Sequence, residues 1–89
     1  MVNEASFRTE AQNLGFPEPI VVPREACILN DTHTHDFTAF ILVLDGEYTV
    51  TTAAGATVYG PGDAYTLVPG TAHSEVAGPA GASLLIARK

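Results

Sequence analysis

Hydrophobic residues change their period once along the chain. In the first 15 residues Phe7, Ala11 and Leu14 recur at i, i+4 and i+7, the spacing of one helical face. Asn3 or Ser6 is placed to cap its start, and Gly15 suits the left-handed stop after the last turn. Phe16-Pro17-Glu18-Pro19 then forces extended backbone, because a proline disfavours the helical region for the residue before it. From Ile20 the pattern turns to short β-forming runs between turn signals. Ile20-Val21-Val22 is β-branched, and Pro23 ends that run or marks a sheet edge. Ala26-Cys27-Ile28-Leu29 is a second strand, and Thr32 to Leu44 a long third one. Asp45-Gly46 reads as a hairpin turn returning into Glu47 to Thr52. Turns at Ala53-Ala54-Gly55-Ala56, Gly60-Pro61-Gly62-Asp63, Pro69-Gly70 and Gly78-Pro79-Ala80-Gly81 separate Thr57-Val58-Tyr59, Ala64 to Val68, His73 to Val76 and Ser83 to Ala87.

Seven or eight short strands in about 70 residues predict an all-β fold. The expected form is a small antiparallel β-barrel with a short N-terminal helix, its interior wide enough for side chains or one small ligand. The chain divides into an N-terminal helix and arm over residues 1–19 and a barrel domain over residues 20–89.

The histidines give this pattern its chemistry. There are three: His33, His35 and His73. Alternation along a strand puts residues i and i+2 on one face, so His33 and His35 stand side by side. Phe37, Ala39, Ile41 and Val43 continue that parity and are apolar, so the face points inward, while Phe40 points away. Imidazoles facing an interior need partners, and a divalent metal is one. His73, after a turn and entering another strand, would complete a facial three-histidine set with open positions for water or substrate. The simpler alternative is three half-buried histidines bonded to carbonyls or water.

These residues resemble the cupin superfamily, whose barrel is the double-stranded β-helix. His33-Thr34-His35 with Gly46 is similar to its first motif: a histidine, any residue, a histidine, a short gap, a glutamate, and a glycine seven residues later. Gly62-Asp63 through Pro69-Gly70-Thr71-Ala72-His73 resembles the second, with Gly62 and His73 eleven apart. The two motifs span about half the chain. The resemblance implies a metal near the barrel mouth, held by His33, His35 and His73. Three-histidine iron sites of this kind resemble those of thiol and diketone dioxygenase cupins. One ligand departs from the pattern: seven residues before Gly46 stands Ala39, where the family has its glutamate. Glu75 shares a face with His73. It reads either as a solvated strand carboxylate or as a substitute ligand or outer partner of the site. Phe37 and Ala39 are expected to wall the pocket.

The remaining side chains are read more plainly. Tyr48, Tyr59 and Tyr65 can donate to a bound ligand, but as good strand formers they are expected to pack with their hydroxyls at the surface. Ser74 points away from His73, which argues against a serine nucleophile. Asp63 is placed to fix its turn through backbone amides. Cys27, the single cysteine, reads as a small buried hydrophobe, and rules out an intramolecular disulfide framework.

Four Lys and Arg against ten Asp and Glu give a formal charge of −6, which argues against nucleic acid or an anionic membrane as partner. No run of apolar residues is long enough to span a bilayer. The polar N-terminus and the missing disulfides lead to the expectation of a cytoplasmic protein. A domain of this length buries only about 60–65% of its unfolded surface, so a homodimer is expected. Within the pocket, a divalent ion on three neutral imidazoles would be locally positive and favour an anionic or chelating small ligand. The metal is zinc, iron, manganese or nickel, all of which accept imidazole. Two functions remain open. One is a metal-binding cupin with a small-molecule pocket, catalytic or not. The other is a non-catalytic ligand-binding or sensor barrel, with or without metal.

Overall fold

The structure is a computed structural model that describes residues 2–89; Met1, part of the expected arm, lies outside them. Helix α1 (Glu4–Asn13) is followed by β1 (Ile20–Arg24), β2 (Leu29–His33), β3 (Ala39–Thr52), β4 (Gly55–Tyr59), β5 (Ala64–Leu67) and β6 (His73–Arg88). All strand pairings are antiparallel, and one sheet runs β1-β6-β3-β4 with β2 added to β6 and β5 to β3. The long strands β3 and β6 form the spine. In one half of the molecule, β1 lies on residues 82–86 of β6 and β5 on residues 39–42 of β3. In the other half, β2 lies on the start of β6 and β4 on the end of β3.

The two halves meet at a corner. Register shifts interrupt the β3–β6 ladder between Val43 and Asp45 and between Gly46 and Tyr48. Gly46 and Gly81 both take positive φ there, +77° each. Inward parity changes across the corner: Ala39, Ile41 and Val43 precede it, and Tyr48 and Val50 follow. On β6, Ala77 precedes it, and Ala82, Leu84 and Ile86 follow. Residues from both halves share one buried cluster, so the bent sheet encloses its own core. The interior is thus that of a small β-barrel of the expected type, although the sheet is not closed.

Several expected boundaries move, for identifiable reasons. Asp45-Gly46 is not a hairpin, and Gly78-Pro79-Ala80-Gly81 does not separate two strands. Both are bends inside continuous strands, where glycine supplies the positive φ of a bulge rather than a chain reversal. The described residues therefore form six strands, two of them long. The expected strand at Ala26–Leu29 shrinks to a start at Leu29, because Cys27 sits at φ +59°. Cys27 is exposed rather than buried. The expected Thr32–Leu44 strand breaks between His33 and Ala39.

α1 begins and ends on local chemistry. The Asn3 side-chain oxygen accepts from the Ser6 N–H at 2.8 Å, satisfying one of the free donors of the first turn. At the far end the Phe16 N–H bonds to Ala11 O and the Gly15 N–H to Gln12 O, with Gly15 left-handed at φ +85°. Phe7 and Ala11 are buried, but Leu14 is 50% exposed and does not join their face, because the helix has ended at Asn13. Phe7 stacks on Phe40 with centroids 4.3 Å apart. Around this pair Leu42, Leu85 and Ala87 form a second cluster, on the outer face of the first half. Removing the cap with Asn3→Ala should cost about 1 kcal/mol and lower the melting midpoint by roughly 4–8 °C, with Asn3→Ser restoring most of it. A midpoint unchanged in Asn3→Ala would show that tertiary packing alone fixes the helix start.

Candidate metal centre and pocket

His33 and His73 are opposite each other in the β2–β6 ladder. Their ring centroids are 4.4 Å apart, those of His33 and His35 5.0 Å, and those of His35 and His73 4.8 Å. One ring nitrogen from each lies within 4.8 Å of the other two. His35 reaches the cluster without regular strand alternation, since the segment bends after His33. The Pro69-Gly70 turn holds it instead: the Gly70 N–H donates to His35 O at 2.9 Å. The ring of His35 stacks on Phe37, 4.5 Å between centroids. Burial, followed by the charges of His73 and His33, pushes the His35 pKa below its ordinary value.

Hydrogen bonds fix which nitrogen each of two rings presents. His33 Nδ1 lies 2.6 Å from Asp31 O, and His73 Nδ1 lies 2.8 Å from Thr71 O. A carbonyl only accepts, so Nδ1 carries the proton in both, and a neutral ring has its lone pair on Nε2. His73 Nε2 is buried and has no hydrogen-bond partner. Glu75 Oε1 lies 3.4 Å from His33 Nε2 and 3.6 Å from His73 Nε2. Two lone pairs and a carboxylate oxygen thus converge with no donor between them. Such an arrangement calls for a cation, metal or proton, and the donor set suits a divalent ion. Backbone carbonyls gripping Nδ1–H are also the usual outer support of metal-binding histidines.

Glu75 is buried, not solvated. Ala39 and Phe37 line the cavity, and Phe40 faces the helix instead. The cavity measures about 350 Å³ and is bounded by the histidines His33 and His35, with Glu75 and Ile41 among its walls. Asp31 lines it too, so Glu75 is not the sole acid facing the site. Asp63 fixes its turn, accepting from the Gly60 N–H at 2.8 Å.

Two arginines were missed by the sequence reading. Arg24 and Arg88 both line the cavity. The signal was available: Arg24 shares parity with Val22 on β1, and Arg88 with Ile86 and Leu84 on β6. Arg88 is also the cross-strand partner of Ala39, so a cation adjoins the position where the family has a carboxylate. It sits 5.8 Å from the Phe37 ring centroid.

The tyrosines differ from expectation as well. Tyr48 and Tyr65 bury their hydroxyls, and neither has a hydrogen-bond partner. Tyr59, half-buried, stacks on Tyr65 at 4.2 Å. Burial, reinforced by the Glu75 charge, raises the Tyr48 pKa to about 12 and pushes Tyr65 up as well. The folded state therefore holds these protons where the unfolded chain has released them. Stability is intact below pH 10 and falls as the pH rises through about 12 for Tyr48. Tyr48→Phe should flatten part of that alkaline loss in denaturant melts taken at a series of pH values. An alkaline slope identical to wild type would place the Tyr48 hydroxyl in water.

With this geometry in hand, the comparisons with known proteins assign the class. The sequence pattern of the cupin domain matches residues 22–85, most of the chain, and the protein belongs to that family. No curated protein matches it in sequence. An RmlC-like cupin from Shewanella frigidimarina superposes with a TM-score of 0.70 at 21% identity, over 80% of this chain and 63% of its own. A protein of unknown function from Rhizobium leguminosarum gives 0.74 at 18% identity, over 80% of this chain and 67% of its own. The DMSP lyase DddQ from Ruegeria pomeroyi gives 0.69 at 22% identity, over 81% of this chain and 38% of its own. At these identities the likeness concerns the fold. No helix among the described residues is long and apolar enough to cross a membrane.

Proposed function

We propose that the chain is a metal-binding cupin with a small-molecule pocket, in which His33, His35 and His73 hold a divalent ion. The observation that carries this reading is the convergence of acceptors: His33 Nε2, His73 Nε2 and Glu75 Oε1 face one another with both Nδ1–H groups committed to backbone carbonyls. When bound, such an ion supplies Lewis acidity to a coordinated oxygen. The protein's own part is to aim the rings, through the Asp31 and Thr71 carbonyls and the Phe37 stack, and to keep one wall of the cavity apolar with Ile41, Leu67 and Ile86. Glu75 then acts as a further ligand or as an outer partner of the histidines. The alternative is a non-catalytic ligand-binding or sensor barrel using the same pocket.

Elemental analysis of untagged protein tests the metal. About one equivalent of divalent ion per chain is expected, with a melting midpoint that drops on chelation. Less than about 0.2 equivalents after incubation with zinc, iron, manganese and nickel, with a midpoint insensitive to chelator, would overturn it.

A further inference from the structure

The buried side-chain atoms without hydrogen-bond partners are four among the described residues: Arg24 Nε, Tyr48 OH, Tyr65 OH and His73 Nε2. His73 Nε2 belongs to the cluster of acceptors around Glu75. The other three are donors. Tyrosines are protonated through the physiological range even at their ordinary pKa, and an arginine has no neutral form to adopt. Arg24 lines the main cavity and, together with Tyr48, an adjoining one of about 200 Å³. The unpartnered atoms are thus of two kinds, an acceptor beside Glu75 and donors on Arg24, Tyr48 and Tyr65, and the Glu75 charge reaches both tyrosines. Buried donors left unmatched are costly, and Arg24 and Tyr48, which line cavities, are open to an acceptor that arrives from outside.

The pairing of charges agrees. Of the four basic side chains, Arg8 is bonded to Glu4 and Glu18, and Lys89 donates to Leu14 O. Arg24 and Arg88 have no carboxylate partner among the described residues, although ten acids are present. Those two are the ones that line the cavity. Arg88 is exposed, at the rim, while the Nε of Arg24 is buried.

We propose that the cavity binds a small organic acid whose carboxylate is received by Arg24, with Tyr48 of the adjoining cavity beside it, while Arg88 draws it in at the rim. This deepens the small-molecule-pocket reading and rests on it, but does not require the metal. A planar guanidinium and a neighbouring hydroxyl match a carboxylate's two oxygens. The volume, about 350 Å³, is at the small end of ligand sites, which suits a small acid.

The test is binding of malonate to metal-free and to metal-loaded protein, followed by thermal shift and calorimetry. Malonamide serves as the uncharged comparison and inorganic phosphate as the other oxyanion. Malonate should raise the melting midpoint of metal-free protein and malonamide should not. Arg24→Gln should weaken malonate about tenfold to a hundredfold, and Tyr48→Phe about two- to tenfold. Both should keep the wild-type metal content. Arg24→Lys guards against a folding defect: it keeps the charge, loses the fork, and should bind between Arg24→Gln and wild type. Arg8→Gln, on the surface, should bind like wild type. Malonamide acting as well as malonate, phosphate acting better, or Arg24→Gln binding within twofold of wild type would each overturn the proposal. A normal metal content with no malonate binding defeats the carboxylate seat alone. Malonate binding through Arg24 in a protein that takes up no metal defeats the metal reading alone.

Discussion

Gly46→Ala is expected to cost more than about 4 kcal/mol and to leave little folded protein at 37 °C. A Cβ at this position would lie 2.1 Å from Gly81 O and 2.9 Å from Ala82 Cα, and both are backbone atoms that cannot rotate aside. Gly46 also sits at φ +77°, where an L side chain is strained by about 1–2 kcal/mol before any clash is counted. The residue stands at the corner where β3 and β6 bend together, so a local shift would propagate along both halves of the sheet. A domain of this size has only about 5–15 kcal/mol in hand. Gly55→Ala is the matched control. Its φ of +118° is equally left-handed but its Cβ would meet nothing within 4 Å, so it should show the backbone cost alone. Denaturant melts of the two variants decide the point. Equal losses in both would mean that the corner yields easily and that the close approach to Gly81 is not a constraint.

His73→Ala should abolish specific metal uptake, a loss of more than about 100-fold in affinity, beyond the 10–100-fold typical of an outer-shell partner. His73 is fully buried, its Nε2 has no hydrogen-bond partner, and its Nδ1–H is already committed to Thr71 O. Alanine also opens a cavity, which in a core costs about 2–5 kcal/mol, so the metal-free protein is expected to melt earlier as well. His73→Gln separates the effects by keeping most of the volume while replacing the ring nitrogen. It should recover much of the metal-free stability and little of the metal affinity. Titration with zinc or nickel, read by elemental analysis after desalting, measures this directly. An alanine variant that retains metal within threefold of wild type would remove His73 from the site.

Much of the architecture was legible from local rules. Asn3 and Gly15 bracket α1 because capping chemistry is local, and Gly60-Pro61-Gly62-Asp63 turns the chain as its composition requires. The histidine cluster was legible for a mixed reason. Parity argued that His33 and His35 share a face, yet the backbone bends between His33 and Ala39, and His35 arrives through the Gly70 hydrogen bond and the Phe37 stack. What sequence could not distinguish was a glycine that reverses the chain from one that bends two paired strands. Asp45-Gly46 satisfies both, and only the partner strand, with Ala82 opposite and Gly81 O close against Gly46, selects the bend. That error inflated the strand count and hid the parity change after the corner. Tyr48 and Tyr65 were placed outward by propensity, although their burial depends on which half of the sheet covers them. Arg24 and Arg88 were passed over because charge was counted for the whole surface, where four bases among ten acids look incidental.

His33 and His73 are tethered by the same device, a ring N–H to the carbonyl two residues earlier, at Asp31 and Thr71. Each aim is therefore set within a three-residue piece of main chain, independent of most side chains in the protein. Substitutions elsewhere can accumulate without turning either ring, provided the two pieces stay side by side in the ladder. The centre is in that sense portable. Its robustness to sequence drift resides in backbone carbonyls, which mutation does not remove.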